Sequence, residues 1–175
     1  MDLEKARNRI KRELTELAER VKETPIIVVL LGAGNKGLKK RKSIKEILER
    51  EGVICLIPEE DFPKEVSPSI IEEAIFRKAD VDLIFVNVES WGSATEFAQL
   101  VRIKEVAQKL RVLTHYKYHP LYGRSKSYLT DLYLTYMALY GHVYAYSNCG
   151  KTFPTDSEII VTLAKRFREI KAMLT

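Results

Sequence analysis

The chain has 175 residues, of which 46% are hydrophobic and 30% are charged, and its formal net charge at pH 7 is +5. This length and composition are those of an ordinary globular domain that buries a core without cross-links. No apolar run is as long as a membrane span, and the charged first residues lack the apolar core of a secretory signal. The modest, scattered positive charge does not by itself indicate nucleic-acid binding. We therefore expect neither a membrane nor a nucleic acid as the partner.

The two cysteines, Cys55 and Cys149, do not have the spacing of a disulfide framework. Cys55 falls in a buried strand pattern, so we expect reduced thiols and a cytoplasmic protein. The many Lys, Glu and Arg residues, with few Gln and Asn, hint at a thermophilic source.

The hydrophobic pattern predicts helices and strands in alternation. Residues 2–23 carry apolar side chains at steps of three, four or seven, which predicts an amphipathic helix. This helix either packs on the sheet or its edge or, because the spacing is close to a heptad, forms a dimer seam. Apolar runs predict five buried strands, at 25–31, 53–57, 83–88, 112–116 and 142–146. Helices are predicted at 44–50, 68–78, 93–110 and 127–140 and after a capping box at 155–158.

This alternation predicts an α/β fold with a doubly wound, mostly parallel five-stranded sheet, a flavodoxin- or Rossmann-like three-layer sandwich. The predicted organisation is an N-terminal helix, residues 1–24, followed by one α/β nucleotide-binding domain, residues 25–175. In open sheets of this kind, ligands bind at the carboxyl ends of the strands. Functional residues are therefore expected in the loops that follow the strands.

The loop after the first strand contains Gly32, Gly34 and Gly37, which match the G-x-G-x-x-G pattern of dinucleotide sites. A capping box from Ser43 to Glu46 predicts that the next helix starts only there, which leaves a loop of glycines and lysines. Free backbone N–H groups, basic side chains and a helix N-terminus would together bind an anion such as phosphate. The alternative is a solvated basic loop. The basic residues are Lys36, Lys39, Lys40 and Arg41.

Three acids, Glu59, Glu60 and Asp61, follow the second strand. They form either a solvated turn or a group of which at least one faces a ligand at the sheet edge. In a dinucleotide site, Glu59 would hold a ribose hydroxyl.

The central strand ends in a sharp polar turn, Glu89 to Gly92, and a capping box from Ser93 to Glu96 predicts the start of a helix. A capping box stabilises the start of a helix and does not by itself indicate a binding or catalytic role. The same geometry, however, sets the Glu96 carboxylate in the crevice at the strand ends. There a carboxylate can attack the anomeric carbon of an N-glycoside or stabilise an oxocarbenium-like centre.

The segment DLIFVNVESWGSATEFAQL resembles the signature of the nucleoside 2-deoxyribosyltransferase-like superfamily, with its TIR-like NAD glycohydrolases and SLOG nucleotide-binding domains. The resemblance is specific over residues 82–97 and implies that Glu96 is the catalytic glutamate. At the position of Trp91, members of that superfamily commonly have a small residue or proline. The matching residues are Ser90, Gly92, Ser93 and Glu96, and the first two strand ends also look similar, at Gly32, Gly34, Glu59 and Asp61.

The resemblance implies an enzyme that acts on the N-glycosidic bond of a nucleotide, a nucleoside or NAD. Glu96 would be catalytic, with Asp61 as the best candidate for a second acid and Glu89 as the next. The substrate-binding residues would be Gly32, Gly34, Lys36, Lys39, Arg41, Glu59, Ser90, Gly92 and Ser93.

One alternative is a non-catalytic nucleotide-binding or sensing module of the same fold. Another is a Rossmann-type cofactor domain, which requires a helix that begins near Gly34 and a ribose contact from Glu59. The three histidines are too scattered for a metal site, and we expect no cofactor. We expect a small-molecule partner and a homodimer or higher homo-oligomer.

Overall fold

The computed structural model describes residues 2–78 and 80–175. Its centre is a five-stranded sheet in the order β2-β1-β3-β4-β5, and every neighbouring pair of strands is parallel. The predicted α/β fold with a parallel five-stranded sheet is therefore confirmed. The strands are β1 Ile27–Leu31, β2 Ile54–Leu56, β3 Leu83–Asn87, β4 Leu110–His115 and β5 Val143–Tyr146.

Helices cover both faces of the sheet. They are α1 Leu3–Glu23, α2 Lys36–Arg50, α3 Pro58–Asp61, α4 Pro68–Lys78, α5 Trp91–Leu100, α6 Lys104–Ala107, α7 Tyr128–Tyr140 and α8 Asp156–Leu174. Because successive side chains of a strand point to opposite faces, Val28 and Leu30 lie in one core with α2 and α8. Val29 and Leu31 lie in the other core with α4, α5, α6 and α7.

The N-terminal helix is confirmed as α1, but it has no buried residue. Its main contact is with α8 rather than with the sheet. Residue 1 of the predicted segment lies outside the described residues. None of the described helices is both long and apolar enough to cross a membrane.

The predicted start of α2 at Ser43 is wrong, because the helix begins at Lys36. Asn35 has a φ of 52°, so the chain turns from the glycine loop directly into the helix. Ser43 lies inside the helix, where its hydroxyl donates to the carbonyl oxygen of Lys39 at 3.2 Å. A serine in a helix commonly bonds back by one turn in this way instead of capping. The basic residues from Lys36 to Lys42 are therefore helical, not part of a loop.

The predicted capping box of α5 is displaced by three residues. Ser90, not Ser93, is the N-cap: its hydroxyl accepts from the backbone N–H of Ser93 at 3.2 Å, and the Ser93 hydroxyl accepts from that of Ser90 at 2.9 Å. Glu96 consequently lies inside the helix. The single helix predicted for 93–110 is also wrong: α5 ends at Leu100, and the extended residue Ile103 precedes α6. This break lets Leu100, on α5, and α6 reach the same core.

Other predicted helix ends are confirmed. Helix α4 starts at Pro68, and Gly141 ends α7 with a φ of 82°. The capping box before α8 joins Thr155 and Glu158: the backbone N–H of Thr155 donates to the Glu158 carboxylate at 2.8 Å.

Candidate functional site

A cavity of about 1030 Å³ opens between α5 and α7, at the carboxyl ends of β3, β4 and β5. This α5–α7 cavity is large enough for a small-molecule ligand, since such sites occupy about 300–1,000 Å³. It lies at the edge of the sheet where open α/β folds bind ligands. Its lining includes Glu89, Trp91, Lys117, Tyr118, Tyr128 and Tyr146.

Aromatic rings surround the mouth of the cavity. Trp91, in the first turn of α5, is 91% exposed, and Tyr118 and Tyr128 are exposed as well. Deeper in the cavity, the rings of His115 and Tyr146 meet edge to face, with their centroids 5.7 Å apart. Exposed aromatic side chains grouped at a concave site provide apolar surfaces on which a planar ligand can stack.

Glu89 is the carboxylate of this cavity. Its Oε1 atom accepts hydrogen bonds from Lys40 Nζ at 2.7 Å, from the Tyr146 hydroxyl at 3.0 Å and from Asn87 Nδ2 at 3.3 Å. All three of these donors contact the same oxygen, Oε1. The side chain is thereby fixed, while the other oxygen, Oε2, receives none of these bonds.

Lys40 links this carboxylate to a second acid, Asp156, at the start of α8. Its ammonium group lies 2.7 Å from Asp156 Oδ2, and Asn87 Nδ2 donates to the same oxygen at 2.6 Å. Burial opposes the charged form of Lys40, but the hydrogen bonds to Asp156 and Glu89 outweigh it and raise the lysine pKa. The network therefore joins the carboxyl ends of β3 and β5 to α2 and to the start of α8, and it holds a positive charge beside Glu89.

The predicted phosphate loop borders a second, much smaller cavity of about 10 Å³. Arg41, whose side chain is only 4% exposed, donates to both carboxylate oxygens of Glu59, at 2.7 and 3.0 Å. It also donates to the carbonyl oxygen of Ala33 at 2.8 Å. The residues predicted to hold phosphate and ribose thus bind each other, while Lys36 and Lys39 are exposed on α2. The N-cap of α2, Asn35, makes no side-chain capping bond.

Glu96 lies on a different side of α5 from the cavity. Trp91, Ala94, Thr95 and Ala98 of α5 line the cavity, and at 100° per residue Glu96 is roughly 150° around the helix from the centre of that face. Burial, with the charge and hydrogen bond of Glu72 on α4, raises the pKa of Glu96 to about 9. The pair of carboxyl groups therefore holds a proton at neutral pH. Its catalytic role stays a prediction.

Asp61 ends the short helix after β2 and does not line either cavity. Its carboxylate accepts from the backbone N–H of Ile57 at 2.7 Å and from Lys45 Nζ at 2.8 Å. Although burial opposes its charged form, these two hydrogen bonds lower its pKa. In this position Asp61 stabilises the turn at the end of β2.

Of the residues predicted at the central turn, Ser90 lines the cavity, Gly92 is exposed, and Ser93 is buried in the cap of α5. Sequence reasoning missed Asn87 and Tyr146 as partners of Glu89, and it missed Asp156 as the second acid that Lys40 contacts. Tyr146 ends a predicted strand, Asp156 lies at the start of a predicted helix, and Asn87 interrupts an apolar strand. A polar residue inside such a run is a signal that could have indicated it.

Among the residues that the structure describes, no group of three or more His, Cys, Asp or Glu side chains is arranged to hold a metal ion. No protein-family model matches this sequence, and no curated protein matches it. The resemblance at residues 82–97 therefore stays a prediction, and the geometry of the site carries the functional argument.

Proposed function

We propose that this protein binds a nucleoside or nucleotide in the α5–α7 cavity. The observation that carries the proposal is the combination of exposed aromatic rings at the cavity mouth with a fixed carboxylate, Glu89, in its wall. A nucleoside offers a planar base and a sugar with hydroxyl donors, which match these two features. Stacking of a base on an aromatic side chain contributes about 1–3 kcal/mol.

The individual contacts follow from the chemistry of the lining. Trp91, Tyr118 and Tyr128 are the surfaces for the base, and Glu89 and Ser90 are acceptors for sugar hydroxyls. Lys117 lines the same cavity. It suits a phosphate better than Arg41 does, because the Arg41 guanidinium already binds Glu59.

Calorimetric titration with nucleosides, nucleoside monophosphates and NAD tests the binding proposal. Tyr128→Ala is the test variant, because Tyr128 lines the cavity, and Tyr122→Ala is the matched control, because Tyr122 is exposed outside it. We expect Tyr128→Ala to weaken binding by about tenfold, while Tyr122→Ala binds like the wild type. Equal affinity in both variants, or no binding of any compound by the wild type, contradicts the proposal.

A second candidate function is cleavage of the N-glycosidic bond of the bound ligand. It is supported by Glu89, a carboxylate oriented by three donors at the cavity wall. One carboxylate oxygen would bond to the anomeric carbon as the bond to the base breaks. The bond electrons leave with the base, which takes a proton from water, and a second water then hydrolyses the glycosyl ester.

The pair Glu89→Gln and Glu96→Gln tests this second candidate, with free base measured by chromatography. Each variant replaces one carboxylate by its neutral amide. If Glu89 is the nucleophile, Glu89→Gln loses base release by at least about a hundredfold, and Glu96→Gln retains it. The opposite result assigns catalysis to Glu96, as the resemblance implies. If the wild type binds the ligand but releases no free base, the protein is a nucleotide-binding module without this activity.

A further inference from the structure

The first two-thirds of α1, residues 3–16, project from the domain into solvent. Every residue from Leu3 to Glu16 except Ala6 is exposed. The helix is held at its other end, where the Arg168 side chain of α8 donates to the carbonyl oxygens of Lys22 and Thr24, the latter at 3.1 Å. An isolated helix of this length is marginal in water, and a partner that covers its apolar face stabilises it.

The exposed part of α1 has such an apolar face. Leu3 is 79% exposed, Ile10 is 54% exposed and Leu14 is 60% exposed. With the half-buried Leu17 and Val21, they recur at steps of seven, four, three and four, which is the a/d pattern of a coiled coil. The stripe therefore continues from the anchored end of the helix to its free end.

The charges of α1 are divided between its two halves. Residues 2–12 carry five basic and two acidic side chains, a net charge of +3. Residues 13–23 carry four acidic and two basic side chains, a net charge of −2. A parallel pair of such helices would set like halves together, whereas an antiparallel pair sets the positive half of each against the negative half of the other.

We infer that α1 pairs with α1 of a second copy of this chain in an antiparallel, two-fold symmetric coiled coil. The same stripe then serves both copies, as a closed symmetric dimer requires. Antiparallel pairing also brings the free end of one α1 towards the last turn of the partner's α8. That turn follows the anchor Arg168 and has exposed apolar side chains of its own, Met173 and Leu174.

A second copy fits this surface better than a lipid bilayer does. An anionic membrane attracts only the positive half of α1 and repels the negative half. A second copy in the antiparallel arrangement sets an oppositely charged half beside each half of α1, and it also covers the apolar stripe. This inference does not depend on the proposed ligand.

Light scattering of the full chain during size exclusion tests the dimer, from about 1 µM to about 100 µM, where interfaces of micromolar Kd dissociate. The test variant is Ile10→Gln with Leu14→Gln. The matched control is Leu134→Gln with Leu139→Gln, two exposed leucines of α7 outside the cavity. We expect a dimer for the wild type and the control and a monomer with unchanged sheet circular dichroism for the α1 variant. A monomeric wild type at every concentration, or a dimer that persists in the α1 variant, overturns the inference.

Disulfide trapping tests the orientation. In a Cys149→Ser background, which removes the exposed native cysteine, Leu3→Cys and Val21→Cys are prepared separately and then mixed. Antiparallel pairing predicts a cross-linked dimer in the mixture and far less in either variant alone. Cross-linking of Leu3→Cys to itself overturns the antiparallel arrangement. A wild type that is monomeric and sediments with anionic vesicles identifies a membrane as the partner and overturns the inference as well.

Discussion

The carboxyl groups of Glu72 on α4 and Glu96 on α5 hydrogen-bond to each other, on the side of α5 away from the α5–α7 cavity. Burial raises the pKa of both groups, and the nearby charge of Glu59 adds to the effect, while Arg41 opposes it. Two carboxyl groups in contact under these conditions share a proton. The pair therefore joins the two helices only while one member is protonated.

This pair predicts a loss of stability at alkaline pH. In the unfolded chain Glu96 ionises near its ordinary pKa of 4.5, whereas in the folded protein its pKa is raised to about 9. Between these values the unfolded state binds fewer protons, so the free energy of unfolding falls as pH rises. Glu96→Gln keeps a donor to Glu72 but does not ionise. We expect it to be more stable than the wild type at pH 8, by on the order of 1–3 kcal/mol.

Urea unfolding at several pH values from 5 to 9 measures this difference. The gap between Glu96→Gln and the wild type should widen with pH and nearly close towards pH 4.5. Glu105→Gln, at an exposed position of α6, is the control and should follow the wild type throughout. A constant gap across this range would show that Glu96 is ionised in the folded protein.

The fold was predictable because the strands are short, continuous apolar runs whose pattern is local. The starts of α2 and α5 were not predictable in the same way. Ser43 and Glu46 satisfy the sequence pattern of a capping box, but the buried positions Gly37, Arg41, Ile44 and Leu48 recur at helical steps across them. Burial of that face continues the helix through the serine, because packing outweighs a local capping signal.

The candidate site was predictable only as a region. The carboxyl ends of the strands follow from the topology, and Glu89 and Ser90 were among the residues noted there. The direction of a helical side chain depends on where its helix begins. Because α5 starts at Trp91 rather than Ser93, the sequence pattern did not show that Glu96 faces α4 or that Trp91 stands at the cavity mouth.

Trp91 is the only tryptophan of the chain, and its place at the cavity mouth predicts a fluorescence signal for ligand binding. It is largely exposed, so its emission should be that of a solvated indole. A base that stacks on it should quench this emission and shift it to shorter wavelength. Titration with the tightest-binding compound of the panel measures the change. An unchanged spectrum at saturation would contradict contact between the ligand and Trp91.

The Arg41–Glu59 pair predicts a difference between two neighbouring acids. Glu59→Gln leaves the buried guanidinium of Arg41 without its carboxylate, and we expect a loss of about 1–3 kcal/mol in the free energy of unfolding. Glu60 pairs with the solvent-accessible Lys42 at 3.0 Å, so Glu60→Gln should cost less than about 1 kcal/mol. Urea unfolding at pH 7 compares the two. Equal losses would show that the Arg41–Glu59 pair is no stronger than a surface ion pair.

Gly123 controls the loop that carries Lys117 and Tyr118 into the cavity wall. A Cβ atom at Gly123 would lie 2.0 Å from the carbonyl oxygen of Lys117 and 3.0 Å from that of His119. Both contacts are with backbone, so Gly123→Ala must displace the loop. We expect a loss of about 2–4 kcal/mol in the free energy of unfolding and weaker ligand binding.

The matched control for this prediction is Gly34→Ala, because a Cβ atom there would have no neighbour within 4 Å. An alanine at a compatible position changes stability by less than about 1 kcal/mol, and often raises it, since the unfolded chain loses freedom. Thermal unfolding and a titration of each variant provide the comparison. If Gly123→Ala is as stable as Gly34→Ala, the loop moves at little cost. If it unfolds earlier but binds the ligand like the wild type, the loop is not part of the binding surface.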